Sequence, residues 1–520
     1  MSKVYKISIV GNGTSAVNAI DALLNEIENL NPALIPPIEI TVYGLGPESD
    51  CGKGFAYGIA GDDGNMTQSA REGRADYGSK KGDFCRYAAQ QLKRPANDIE
   101  RRSVVGGFHN HRHYENKKRG EGLNVRIAYS QAEVIDVTQD TAASGYQIIT
   151  RDGVAGNADR VVLAVGDILS SRFDEAIEQF PDQVFSSPYV AFDEILKGNS
   201  EESHVVAFGT RSTFLDLVNQ LFDRGYKGKV TGISSTGQTS WQSKEHHIPY
   251  LPQHLRSDGT LGTTKDVLRA LLLELSEAEH KGAYVPHSLR PKLFNAVRSD
   301  AEPYRLRWQF DLKEEAERAA GLTYHEVIQG VNWEKIYEGL RSKKEQEVFL
   351  TTLGDFIIYN RVNCVVPADF RKFCGHVEAG RVKIEQNTFT TFDIHSRFND
   401  AALEISLQGE QSIICHQIVN CAIGPASSRA QAREMDLLGN LVGKGWLVPL
   451  EGTGFSVSGR HNIDLLGVQG RPYPFSSIGL ETNGRQIAYW VKEISQDIVS
   501  RTAGVAVKLF RPAQRVAAHG

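Results

Sequence analysis

Apolar and polar positions first alternate as a strand and then recur as a helix. Lys6-Ile7-Ser8-Ile9-Val10 is a β-type run. Beyond Gly11-Asn12-Gly13-Thr14-Ser15-Ala16, apolar residues return at Val17, Ile20, Leu23 and Leu24 with helical spacing. The pattern predicts strand, tight turn and helix, in the order that a bound pyrophosphate requires. Gly11 permits the turn, Gly13 lets the backbone approach phosphates, and Ala16 is small enough for helix and strand to pack closely. The start of the helix, through Thr14 and Ser15, offers unpaired N–H groups and a favourable dipole to an anion.

A second strand is expected at Ile38-Glu39-Ile40-Thr41-Val42-Tyr43, after the Pro36-Pro37 break. In many dinucleotide domains this strand ends on an acid that binds a ribose hydroxyl. Here Gly44 follows Tyr43, and Glu48 and Asp50 come only later, so the sequence identifies no ribose partner. The glycine-dense stretch that follows, with Gly52, Gly54 and Tyr57, suits close backbone contact with a cofactor, although surface turns use the same residues. The polar run from Asp62 to Gly82, which includes Asn65, reads as a long connection. Between Arg94 and Arg119 the chain is basic and histidine-rich. As a strand it would set His109, His111 and His113 on one face, a metal-like patch; as a solvated or anion-facing loop it would not. Only Glu115 lies nearby as a further ligand, and no metal site is assigned.

Further strands are expected at Val125–Ala128, Glu133–Val137 and Gln147–Thr150, the last opening a hairpin at Arg151-Asp152-Gly153. Asp159–Gly166 reads as a buried parallel strand entering glycine. A second nucleotide-type unit begins at His204–Phe208, turns through Gly209-Thr210-Arg211-Ser212-Thr213, continues as a helix to Phe222 and returns as Lys229–Ser234. From Thr264 to Gly321 the pattern is helical, with Val267, Leu268, Leu271, Leu272 and Leu275 on one face. Strands are expected after residue 346, among them one run from Ile413 into Gly424, and Ile487, Val491 and Ile494 suggest a final helix. The expected class is α/β: two Rossmann-like dinucleotide-binding regions with an inserted, mostly helical segment. The divisions are 1–200, 201–345 with the insertion, and 346–520 returning to the first region.

A chain of 520 residues exceeds what one core normally organises. Its formal net charge of −5 argues against a general nucleic-acid surface. No stretch approaches the roughly 20 apolar residues that cross a bilayer. The N-terminus runs straight into a strand, which leaves no room for a secretory leader, so a cytoplasmic location is expected. The six cysteines form no CxxC pair, which disfavours a zinc ribbon or a vicinal redox disulfide, and Cys415 and Cys421 read as core thiols. There is no GxSxG elbow and no HExxH helix.

Taken in order, these motifs resemble the two-dinucleotide-binding flavoproteins, which include flavin monooxygenases and amine N-hydroxylases, and more nearly a bacterial group of FAD/NAD(P)-binding proteins. The resemblance spans nearly the whole chain. It rests on Gly11-x-Gly13-x-x-Ala16, Gly52-x-Gly54-x-Ala56-Tyr57, Asp159 to Gly166, Gly209 to Asp216, and Val419 to Pro425, with Asp464–Gly467 and Ser476-Ser477-Ile478-Gly479 near the end. It implies that Gly11, Gly13 and Ala16 line an FAD pyrophosphate, that Val134 sits beside adenine, and that Gly166 lies where the chain passes the flavin. It also implies that Gly424 and Ser477 border the cofactor. In the second unit the usual second glycine is replaced by Arg211, which either forks onto a phosphate or obstructs the nucleotide. NADPH or NADH is accordingly an open second ligand.

The resemblance implies an FAD-dependent oxidoreductase, monooxygenase-like, acting on a small amine or other electron-rich metabolite. A nicotinamide-independent flavin dehydrogenase or oxidase, and a non-catalytic dinucleotide-responsive interaction protein, are the alternatives. His246, Asn65 and Arg371 are the catalytic candidates; Lys372 and the group Tyr304, Arg305, Arg307 and Trp308 are further anion-binding candidates. The expected partner is a small-molecule substrate, with no nucleic acid and no membrane; a homo-oligomer is only a base-rate expectation.

Overall fold

The computed structural model describes residues 4–29, 35–58, 66–67, 82–97, 100–140, 145–165, 173–190, 192–234, 237, 239–242, 250–256, 258–298, 322–349, 352–353, 356–357, 364–387, 393–396, 402–407, 411–422, 436–446, 449–450, 454–455, 457–458, 464–466 and 472–477. The chain divides into two compact units. Met1–Asn65, Ser69–Ser171 and Gly424–Gly520 make the first, Met66–Gln68 and Arg172–Ile423 the second. The main divides therefore fall at 171/172 and 423/424, not at 200/201 and 345/346. Sheet membership explains this, because strands on both sides of 200 and of 345 share the second unit's sheet.

In the first unit, β1 (Tyr5–Val10) leads into α1 (Thr14–Glu28) and β2 (Ile38–Gly44). After α2 (Arg102–Glu121) come β3 (Val125–Gln131), β4 (Val134–Asp140), β5 (Gly145–Thr150), β6 (Gly153–Ala158) and β7 (Arg160–Leu163). The main sheet runs in the order Val457–Ser458, Asp464–Leu466, Pro472–Ser477, β7, β1, β2, β3. From Pro472–Ser477 to β3 every pairing is parallel, with Tyr5 opposite Ile38, Val10 opposite Tyr43 and Val10 opposite Leu163. Buried Val17, Ile20, Leu23, Leu24 and Ile27 of α1 pack on Ile7, Ile9, Ile40 and Val42. Burying such side chains contributes about 1.5–3 kcal/mol each. β4, β5 and β6 form the expected antiparallel hairpin sheet.

The second unit repeats the plan. β8 (Val184–Phe185), β9 (His204–Phe208), α3 (Ser212–Asp223) and β10 (Lys229–Ser234) are followed by helices α4 (Thr264–His280), α5 (Leu289–Arg298) and α6 (Pro367–Glu378). Then come β11 (Val382–Gln386), β12 (Asp393–Ser396), β13 (Leu403–Leu407), β14 (Gln411–Cys415) and β15 (Gln417–Asn420). The parallel sheet has the order β8, β15, β9, β10, β11. The apolar run from Ile413 is two strands rather than one. His416 breaks it, and its N–H bonds the His204 carbonyl at 2.8 Å. On one side β14 pairs antiparallel with β13, and on the other β15 runs parallel to β9.

The described part of the expected helical insertion has its own core around Val267, Leu271, Leu275, Leu293, Tyr324 and Ile328. Beside it, the buried carboxylate of Glu274 accepts the Tyr250 hydroxyl at 2.7 Å and the backbone N–H groups of Gln253, His254 and Leu255 at 2.6–3.0 Å. Burial works against its charge, but these donors hold the carboxyl below the usual glutamate range. The expected final helix around Ile487 lies outside the described residues. Among the described residues, no helix is long and apolar enough to cross a membrane.

Candidate dinucleotide site

The first unit's site is built where β1, β2 and β7 end together. The N–H of Gly11 donates to the Tyr43 carbonyl at 2.9 Å, and the N–H of Ala164 donates to the Val10 carbonyl at 2.7 Å. These bonds force the chain to leave β1 sharply. Gly11 takes φ +108°, and a Cβ there would lie 2.0 Å from the Ala164 carbonyl oxygen. Only glycine meets both demands.

Helix α1 then starts with Gly13 as its N-cap, with no side chain capping it and no acid in its first turn. The positive end of a 15-residue helix is thus left to an outside anion. Ala16 is fully buried against the sheet, as its small size predicts.

The glycine-dense loop crosses this turn. Gly52 donates its N–H to the Asn12 carbonyl at 2.7 Å and accepts the Thr14 hydroxyl at 2.8 Å. A Cβ on Gly54 would lie 3.3 Å from the Cα of Gly13, so the two glycines bring the segments into near contact. Tyr57 closes the short helix Gly54–Tyr57, its ring 5.9 Å from that of His109. Gly11, Gly13, Thr14, Ser15, Ala16, Gly52 and Gly54 therefore converge on one turn. Val134 is buried in a cluster with Val10, Tyr43 and Leu163, at the same ends of β1, β2 and β7. Ser477 ends its strand opposite Leu163.

Several residues that hold this turn were not singled out from the sequence. Asn12 donates its amide to the Tyr129 hydroxyl at 3.0 Å, and Tyr129 donates to the Gly46 carbonyl at 2.5 Å. The stretch read as a histidine-bearing strand or loop is the 20-residue helix α2. In a helix, His109 and His113 share a face one turn apart, while His111 points elsewhere. His109 and His113 are buried, and burial lowers the proton affinity of both, that of His109 severely. Among the described residues, no group of His, Cys, Asp and Glu could hold a metal ion.

Glu48, a late acid after β2, is already committed, bonding His113 Nε2 at 2.9 Å and Lys117 Nζ at 2.7 Å. Burial works against its charge, but Lys117 and His113 hold the carboxyl below its usual range. The opposite side of α2 is locked to α1: Arg112 donates to Asn18 at 2.6 Å and to Asp21 at 2.7 Å, both within the interior.

The second unit reproduces the turn bond for bond. Gly209, with φ +97°, donates its N–H to the Ile233 carbonyl at 2.8 Å, and Cys421 donates to the Phe208 carbonyl at 2.7 Å. A Cβ on Gly209 would lie 2.6 Å from the Ala422 nitrogen. Thr210 and Ser234 hydroxyls meet at 2.8 Å. Arg211 takes the place of the second glycine as an exposed, extended N-cap of α3, and it leaves that helix start without a side-chain cap. Cys415 and Cys421 are buried thiols, as expected.

Arg371 is exposed on α6 of the second unit, and Lys372 beside it pairs with Asp223. Asn65, Gly166, His246 and Gly424, with Tyr304, Arg305, Arg307 and Trp308, lie outside the described residues.

Residues 8–168 match the model of a family described as FAD-NAD(P)-binding. They include the whole of the first turn, the crossing loop and α2. An ornithine hydroxylase of Pseudomonas aeruginosa superposes with a TM-score of 0.51 at 11% identity, over 96% of this chain and 99% of that one. The chain has a Rossmann-type flavoprotein fold. An ornithine N-hydroxylase of Kutzneria sp. 744, solved with reduced FAD, NADP+ and L-ornithine, superposes with a TM-score of 0.50 at 11% identity, over 96% of this chain and all of the other. No match was found among curated protein sequences. The resemblance thus holds for the FAD-NAD(P)-binding model over residues 8–168 and, beyond it, for the fold.

The first turn fits a dinucleotide on its own geometry. A Cβ would fill the space beside Gly11, the start of α1 is uncapped, and two glycines keep the crossing loop close to the helix. These are the features that a pyrophosphate needs.

Proposed function

We propose that the chain is an FAD-dependent monooxygenase that takes electrons from NADPH or NADH and oxygenates a small amine or another electron-rich metabolite. The observation that carries this reading is the duplicated glycine turn, one in each unit, each ending a parallel β-strand at an uncapped helix. The solved ornithine hydroxylases of the same fold, one of them with FAD, NADP+ and an amine substrate, support the choice of chemistry.

In this reading the backbone N–H groups at Gly13, Thr14, Ser15 and Ala16 bind the FAD pyrophosphate. Gly52 and Gly54 cover it, and Val134 lies toward the adenine. Bound FAD supplies two-electron redox chemistry and the reaction with dioxygen. The chain's part is to bind, orient and exclude water. Asn65 and His246 are proposed near the flavin and substrate, Gly166, Gly424 and Ser477 beside the cofactor, and Arg371 as an anion contact. The proposed setting is cytoplasmic, with a small molecule as partner and neither nucleic acid nor membrane.

The absorbance spectrum of freshly purified protein, before and after FAD is added, tests this reading. Bound flavin bands are expected, with FAD released on denaturation. Colourless protein that takes up no FAD overturns it.

Arg211 favours a second reading, in which the flavin enzyme never uses a nicotinamide. In the first reading, by contrast, its exposed guanidinium at the start of α3 contacts a nucleotide phosphate, and Arg211→Ala is expected to weaken NADPH binding about tenfold, the size of one charge-assisted contact. Anaerobic reduction of the flavin at a series of NADPH concentrations measures it. Unchanged affinity in the variant means that Arg211 reads no phosphate, and absence of reduction in the parent protein favours the second reading.

A further inference from the structure

Cys51, His113 and Glu48 stand in the order of a thiol–imidazole–carboxylate triad. The Cys51 Sγ lies 3.4 Å from His113 Nδ1, and His113 Nε2 lies 2.9 Å from Glu48 Oε1. The arrangement is nevertheless unsuited to nucleophilic chemistry. Cys51 is fully buried, and burial, reinforced by the Glu48 charge, pushes its thiol up to about 12. Burial also lowers His113, outweighing Glu48, which raises it. Near neutral pH both groups are uncharged. The bonds are then satisfied with the thiol donating to Nδ1 and the Nε2 hydrogen donating to Glu48.

What the triad does follows from its place in the chain. Cys51 directly precedes Gly52, whose N–H and carbonyl bond Asn12 and Thr14 on either side of Gly13. The same loop is held from α2 at three further points. Asn110 donates to the Cys51 carbonyl at 2.9 Å, Lys117 bonds Glu48, and a Cβ on Gly52 would lie 2.7 Å from the His109 carbonyl carbon. Among the described residues, only the His113 side chain bonds both Cys51 and Glu48, and so spans the loop from its start to its crossing point.

We propose that His113 is a positioning residue for the dinucleotide turn, holding the segment Glu48–Gly54 against the start of α1 through Cys51 and Glu48 and thereby setting the affinity for FAD. The link to FAD rests on the proposed function; the hold on the loop does not. The charged and titratable groups that face His113 are Glu48 and Cys51 from the loop, and Lys117 and Tyr114 from α2. Protonating His113 removes the acceptor for the Cys51 thiol, so the hold weakens in acid.

Two measurements on the full chain test this: hydrogen exchange of the flavin-free protein, and titration of the deflavinated protein with FAD by fluorescence. His113→Leu keeps the bulk and removes both bonds. His113→Asn keeps an acceptor close to the Nδ1 position. In His113→Leu the amides of 51–54 are expected to exchange at least about tenfold faster, while those of the β5–β6 hairpin are unchanged. FAD binding is expected to weaken about tenfold, or about 1.4 kcal/mol, and His113→Asn should recover most of both effects. Affinity in the parent protein should be constant above the ordinary histidine value of about 6.5 and fall below it, whereas His113→Leu should be flat.

If exchange at 51–54 is unaltered, or if His113→Asn is as weak as His113→Leu, the proposal is wrong. Should His113→Leu fail to fold, Cys51→Ala removes the thiol donor alone and must show the same faster exchange. A parent protein that takes up no FAD overturns the proposed function, while the exchange data still decide the role of His113.

Discussion

Replacing Gly11 by alanine is expected to abolish FAD binding and to destabilise the first unit by roughly 2–5 kcal/mol, combining left-handed backbone strain with forced overpacking. The strain comes from φ +108°, and the overpacking from a Cβ that would sit 2.0 Å from the Ala164 carbonyl oxygen. Nothing flexible can give way there, because the neighbouring Ala164 N–H is tied to the Val10 carbonyl. Relief requires β7 to move away from β1, which opens the very end of the sheet where the pyrophosphate turn sits. Gly209→Ala is the internal control. Its Cβ would meet Ala422 at 2.6 Å, a milder clash in the other unit, so flavin should remain while nicotinamide binding declines. Flavin content after purification and a thermal melt of each variant measure both effects. Retention of FAD by Gly11→Ala at parental affinity would falsify the assignment of this turn to the cofactor.

The second large effect is expected at Glu274. Glu274→Gln should destabilise the second unit by about 2–4 kcal/mol, the cost of leaving buried donors unmatched. The glutamine amide presents hydrogens where three backbone N–H groups and the Tyr250 hydroxyl already donate. The pH dependence has a fixed sign. Because the folded carboxyl lies below its ordinary value, its contribution is complete above the unfolded value of about 4.3. It is lost as pH falls through the lower, folded value. The stability gap between parent and variant should therefore be constant from neutral pH to about 5 and narrow below it. Urea unfolding at several pH values reads this directly, and a gap that widened in acid would mean that the carboxyl is protonated in the folded protein.

Legibility in the sequence followed the range of the interactions. The turn Gly11 to Ala16 and its counterpart at Gly209 were readable because their chemistry is local, resting on a strand, a backbone constraint and a helix start within a dozen or so residues. Helix α2 was not readable. Its buried positions include His109, Arg112, His113 and Asn116, which no apolar periodicity reveals. Their burial is supported by partners far along the chain: Asn18 and Asp21 for Arg112, the Val17 carbonyl for Asn116, and Cys51 for His113. The one available signal was the spacing of His109, His113 and Lys117, one helical turn apart. The run from Ile413 misled for the opposite reason. It is mostly apolar on both sides of His416-Gln417, yet two different sheets claim its halves, and only the pairing partners of β14 and β15 separate them. The late acid Glu48 was visible, but its engagement with Lys117 and His113 depends on α2 being a helix.

The order in which strands enter the first sheet bears on how the protein is made. β7 is flanked on one side by β1 and on the other by Pro472–Ser477, with Val161 opposite Phe475, about 300 positions later. All the strands of the second unit's main sheet lie between Val184 and Asn420, so that sheet can close while the first still lacks its last parallel member. At ~5–20 residues per second, ribosomal synthesis leaves β7 with a bare edge for roughly 15–60 s. That edge is the apolar run Val161-Val162-Leu163, a template for adventitious strand pairing. Between the emergence of Asn420 and that of Pro472–Ser477, the nascent chain carries a second unit whose main sheet is complete and a first unit whose main sheet is still open.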